Sequence, residues 1–110
     1  MGVFDRFRGY RRVRSEVETT ADHRYLHDWA SVRTGVEAFV EPQTSVTEVT
    51  VVLVAADGDW TRRGVASGAR RLGEQLAIPV YDVQRVGYPQ RMRDYDQRRR
   101  VERRRTANEG

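Results

Sequence analysis

The chain has no cysteine among its 110 residues. That absence excludes disulfides, thiolate zinc sites, cysteine-ligated iron–sulfur clusters and a cysteine nucleophile together. Redox chemistry would need a borrowed cofactor, and no phosphate loop, dinucleotide glycine fingerprint or serine elbow occurs to hold or perform one, so no cofactor and no metal is expected. Long apolar runs are missing too. Nothing approaches the roughly 18 apolar residues of a membrane span, and the first residues lack the apolar stretch of a signal peptide, so the expected location is cytoplasmic. Met1-Gly2 does not extend to a myristoylation pattern, because Arg6 stands where Ser or Thr is required.

Lysine is missing as well, so all 20 basic residues are arginine. Their placement is uneven. Residues 1–14 carry five arginines against Asp5, and residues 91–110 carry eight against four acids, each stretch netting +4. Residues 15–90 carry seven arginines against eleven acids and net −4. An acidic body between two basic ends either folds those ends onto itself or offers them to an anionic partner.

Periodicity gives the elements. Val3, Phe4, Phe7 and Tyr10 recur near helical spacing among arginines, which suits a frayed tail, an interfacial contact with a membrane surface or a docking segment. A helix over 22–34 is predicted, capped by Asp22, with Tyr25, Leu26, Trp29 and Val32 as its apolar stripe and Gly35 as its left-handed stop. Residues 36–41 alternate as a strand, and 46–56 form a second, apolar on both faces and therefore central. Asp57-Gly58 signals a two-residue type I′ hairpin turn. That turn would set Ala55 opposite Trp60, Leu53 opposite Arg62 and Val52 opposite Arg63.

Ser67 can cap a further helix with Ala69, Leu72 and Leu76 inward, in which Gly73 permits close packing on the sheet. Ile78-Pro79 ends it, 80–83 reads as a short strand, and Pro89 starts a last helix whose inward pair is Met92 and Tyr95. Beyond Tyr95 the apolar face ends, and Asp94, Arg98 and Glu102 can support the helix through i,i+4 pairing. The order predicts an α+β fold with a small, mostly antiparallel sheet and helices on one face. Three segments follow: a basic, mobile stretch 1–21, a single domain 22–95, and an arginine-rich helical extension 96–110.

His23 and His27 stand one helical turn apart without a third ligand and read as surface histidines. Asp57 and Asp59 flank Gly58 and read as turn residues. Residues 80–95 gather Tyr81, Tyr88 and Tyr95 around a turn as a candidate pocket. Arg91, Arg93, Arg98, Arg99, Arg103 and Arg104 are the candidate anion- or partner-binding residues, because guanidinium forks match phosphate and carboxylate.

Two stretches, 36–63 (VEAFVEPQTSVTEVTVVLVAADGDWTRR) and 80–95 (VYDVQRVGYPQRMRDY), resemble a family of small uncharacterised actinobacterial proteins. The resemblance runs from about His23 to Tyr95. Its members often carry the label oxidoreductase, which implies a redox enzyme or accessory subunit but supplies no catalytic residue. The order of elements over 22–77 is also similar to that of a double-stranded-RNA-binding domain, with Arg70 and Arg71 alone where such domains place a lysine cluster. The residues themselves favour a non-enzymatic interaction module for an anionic partner, meaning RNA, a ribosomal surface or an acidic protein. Salt-dependent retention on RNA separates that reading from a redox one, which co-purification with a flavin or nicotinamide would favour.

Overall fold

In the computed structural model, which describes residues 16–42, 44, 49–65 and 68–109, with side chains described from residue 21 onward, the alternating segments become a four-stranded sheet. Its strands are β1 (Glu37–Glu41), β2 (Thr50–Val54), β3 (Trp60–Gly64) and β4 (Val80–Asp82), and its helices are α1 (Glu16–Ser31), α2 (Ala69–Leu76), α3 (Val83–Val86) and α4 (Gln90–Glu109). The spatial order is β3-β2-β1-β4. The expected N-terminal amphipathic segment, Val46 and the Ser67 cap lie outside the described residues.

β2 is inner, as its two-faced apolar run requires, and Val51 to Ala55 are all buried. Its side chains serve two cores. Val51, Leu53 and Ala55 join Ala38 and Val65 beneath Leu26 and Trp29 of α1 and Leu72 of α2. Val52 and Val54 point the other way, with Phe39, to meet Met92 of α4, with Trp60 and Tyr88 packed around them. Fully burying a Leu or Val side chain contributes about 1.5–3 kcal/mol, so Leu26, Leu53 and the β2 valines dominate the cohesion of both layers.

The fold is α+β, and the sheet is antiparallel at β1–β2 and β2–β3, as expected. Two features extend that expectation. β4 pairs with β1 in parallel, because α2 carries the chain across the sheet to its far edge, where a hairpin cannot reach. And although α1 and α2 share one face, the start of α4 packs on the opposite one, so helices are not confined to one side.

Helix boundaries shift for local reasons. α1 begins at Glu16, so Asp22 lies inside it and pairs with Arg63 at 4.0 Å instead of capping. The helix ends at Ser31, before the expected stop, although Gly35 does take a left-handed φ of 61°. The N-cap of α2 is Gly68, with no side-chain cap bond. Gly73 is packed as expected: a β-carbon there would lie 2.1 Å from Val80 Cγ2, so α2 rests directly on β4.

The hairpin between β2 and β3 differs from a type I′ turn in one residue. Ala55 N donates to the Asp59 carbonyl at 2.8 Å and Gly58 N to the Ala55 carbonyl at 3.0 Å, which closes a three-residue loop over 56–58. Gly58 has the expected positive φ, 94°, whereas Asp57 does not share it; its carboxylate accepts from Asp59 N at 2.9 Å instead. The extra loop residue moves the register by one, setting Val54 opposite Trp60, Leu53 opposite Thr61 and Val52 opposite Arg62. Because side chains alternate, this correction turns Trp60 and Arg62 onto the α4 face.

Gly58 is buried under α4. A β-carbon there would stand 2.1 Å from the Arg91 carbonyl oxygen and 2.8 Å from Tyr95 Cβ. Gly58→Ala therefore adds displacement of α4 to left-handed backbone strain and should lower stability by more than about 2 kcal/mol in urea unfolding. A loss below about 0.5 kcal/mol would show that the turn does not seat the helix.

Candidate anion-binding surface

The root of α4 is held by polar contacts that consume some of the arginines expected to face a partner. Arg91 Nε donates to the Ala55 carbonyl at 2.9 Å, and its Nη2 donates to Glu37 Oε1 at 2.6 Å. Its fork is thus paired with the body at a part-exposed position. Two turns later on the same face, Arg98 Nη2 donates to the Asp57 carbonyl at 2.9 Å and its guanidinium lies 5.9 Å from the Tyr95 ring. Arg98 thus anchors the helix to the hairpin. Arg93 is exposed and reaches only Gln90 Oε1, at 3.5 Å.

The three tyrosines share this face of the sheet but do not enclose one pocket. Tyr81 stacks on Phe39 with centroids 5.5 Å apart, and a hydrogen bond to Glu37 pushes its hydroxyl pKa up. Tyr88 donates its hydroxyl to Glu41, which also accepts from Thr50 Oγ1 at 2.6 Å and from Arg62 Nε at 2.7 Å. Each of the two outward glutamates of β1 is thereby matched with one arginine and one tyrosine, Glu37 with Arg91 and Tyr81, Glu41 with Arg62 and Tyr88. Composition and spacing carry no signal for either set, because their members lie up to 54 residues apart in the chain.

Of the three, Tyr95 borders a cleft. Between the hairpin and α4, Asp59, Trp60, Tyr95, Asp96, Arg99, Arg100 and Arg103 line an open space of about 470 Å³. Both acids are already occupied, Asp59 by Arg33 at 3.1 Å and Asp96 by the Trp60 indole N–H at 2.8 Å. Burial and the neighbouring Asp59 charge raise the Tyr95 pKa, while Arg99 acts against them. Asp57 and Asp59 keep the turn role expected of them.

Past Asp96 the helix has no cover, and every residue from Gln97 to Glu109 is exposed. Arg99, Arg100, Arg103, Arg104 and Arg105 have no carboxylate partner or hydrogen-bond acceptor among the described residues. Of the expected anion-binding set, Arg93, Arg99, Arg103 and Arg104 have no carboxylate partner among the described residues; Arg100 and Arg105 join them. Trp60 was not expected at all, since the two-residue turn would have placed it on the other face.

His27 is exposed, whereas His23 is half-buried and its Nε2 is buried without a hydrogen bond; no metal-holding group of three occurs among the described residues. Arg70 and Arg71 are both exposed on α2. No helix among the described residues is long and apolar enough to cross a membrane. Comparison with family models, curated proteins and solved structures gives no match.

The Glu41 set makes stability depend on acid. Burial pushes the Glu41 carboxyl up, but hydrogen bonds from Arg62, Thr50 and Tyr88 outweigh it and hold the pKa below the ordinary 4.5. A depressed folded-state pKa contributes stability that is present above the unfolded value and lost as pH falls through the folded one. The melting temperature should therefore fall as pH drops below 4.5, and Glu41→Gln should lower it at pH 7 and flatten that acid limb. An unchanged acid limb in Glu41→Gln would contradict the network.

Proposed function

We propose that the chain is a non-enzymatic interaction module that binds the phosphate backbone of a nucleic acid through the exposed part of α4. The observation that carries the reading is the arm of five arginines without a partner among the described residues, Arg99, Arg100, Arg103, Arg104 and Arg105, on a helix whose Arg91 and Arg98 are tied to the body. Residues 98–109 hold six arginines against Glu102 and Glu109.

Distribution around the helix favours a polymer over a flat acidic protein surface. Consecutive helical residues point about 100° apart, so the triplets Arg98-Arg99-Arg100 and Arg103-Arg104-Arg105 spread charge over most of the circumference. A flat surface meets one side of such a helix, whereas a nucleic acid can follow it. Guanidinium forks also suit phosphate oxygens, and each neutralised phosphate releases counterions.

Single-stranded RNA, duplex RNA and an acidic peptide titrated at several salt concentrations against the full chain and an Arg100, Arg103, Arg104, Arg105→Gln variant test this. For the parent chain, log affinity for RNA should fall steeply with log salt, and the variant should lose roughly 0.7–0.9 of slope for each phosphate contact removed. Tighter binding to the acidic peptide than to RNA would replace the nucleic acid by a protein partner. Equal slopes, or no RNA binding tighter than about 100 μM at low salt, would contradict the proposal.

A further inference from the structure

The cleft at the root of the arm combines two chemistries that the exposed end lacks. Arg99 and Arg103 are four residues apart on the face of α4 that continues from Met92 and Tyr95, so their side chains emerge about 5–6 Å apart toward the same space. Trp60 and Tyr95 border that space with aromatic surface. Asp59 is paired with Arg33, and Asp96 accepts the neutral Trp60 N–H and keeps its charge, so Arg99, Arg100 and Arg103 against Asp96 leave the lining net positive.

An open cleft of about 470 Å³ suits a small ligand or one unit of a chain. Paired cations beside aromatic rings meet the two needs of an unpaired nucleotide, a phosphate to neutralise and a base face to stack. A duplex offers no free base face, and a phosphopeptide would leave the rings unused. Trp60 is half-buried, supported from below by the Phe39, Val52, Val54 and Met92 core, so the ring is held in place before any ligand arrives.

We infer that this cleft holds one nucleotide unit of a single-stranded nucleic acid, with its phosphate on Arg99 and Arg103 and its base against the Trp60–Tyr95 surface. The inference rests on the reading of α4 as a nucleic-acid-binding arm and adds a specific seat to it. Duplex regions would meet only the outer arginines, so single strands should be preferred.

Intrinsic fluorescence gives the test a local reporter. The chain has two tryptophans, and Trp29 is buried in the opposite core, so a ligand-induced change reports Trp60. Short oligouridylate, UMP and inorganic phosphate are each added to the full chain, and oligouridylate binding is followed in parallel by anisotropy of a labelled strand. Oligouridylate should change the emission with the same midpoint as the anisotropy, and Trp60→Phe, with an unchanged circular dichroism spectrum, should abolish the emission change.

Arg99→Gln with Arg103→Gln should weaken binding roughly tenfold, the scale of one lost base and phosphate seat, and remove the emission change. Arg104→Gln with Arg105→Gln should weaken binding less and leave that change intact. Anisotropy binding with no change in Trp60 emission, and equal losses from the two arginine pairs, would overturn the seat while leaving the arm reading standing. Saturation by UMP or phosphate as tight as by oligouridylate would also overturn it, in favour of a free small molecule. Absence of oligouridylate binding would remove both.

Discussion

One five-residue turn, Ala55 to Asp59, holds the two sides of the molecule together. Arg33, two residues past the end of α1, pairs with Asp59 from one side. Arg91 and Arg98 of α4 donate to the carbonyls of Ala55 and Asp57 from the other. Trp60, the first residue of β3, closes the set through its indole N–H to Asp96. Individually these contacts are part-exposed and worth little as charge pairs. Their effect lies in tying the turn backbone to both flanking helices, and in fixing α4 where Gly58 alone allows the approach.

That geometry sorts a chain whose basic residues are all of one kind. Arginine is used inside the fold as a fork bridging a carboxylate and a carbonyl, with Arg91 as the fullest case, and as a plane over aromatic rings, as Arg33 over Trp29 at 3.9 Å and Arg63 over Tyr25 at 3.8 Å. The same side chain becomes a binding group only where the sheet ends and α4 continues. The length of α4 beyond the hairpin, more than its composition, sets how many arginines are left over.

The sequence made the layers legible but not their joins. β2 reads as inner from its apolar run, Gly58 as left-handed from Asp57-Gly58, and Gly73 as a packing contact from its place among α2 leucines; all three stand in the structure. The register did not follow, because Asp-Gly serves both a two-residue turn and a three-residue loop, and a single residue decides which face receives Trp60. Arg91 and Arg98 looked like members of an exposed run, since local spacing does not record that a carbonyl from the Ala55–Asp59 turn stands opposite them. Of the candidate site, Arg99, Arg103, Arg104 and Tyr95 were legible; Trp60 and the division of the arginines were not.

The central claim is that division between arginines spent on the fold and arginines kept free. It is tested most directly by following the arginine Nε–Hε resonances by NMR while single-stranded RNA is added. The account predicts that Arg99, Arg100, Arg103, Arg104 and Arg105 shift, while Arg33 and Arg91, held by Asp59 and Glu37, keep their positions. Shifts concentrated on Arg33 and Arg91, or no shifts in the arm at saturating RNA, would contradict it.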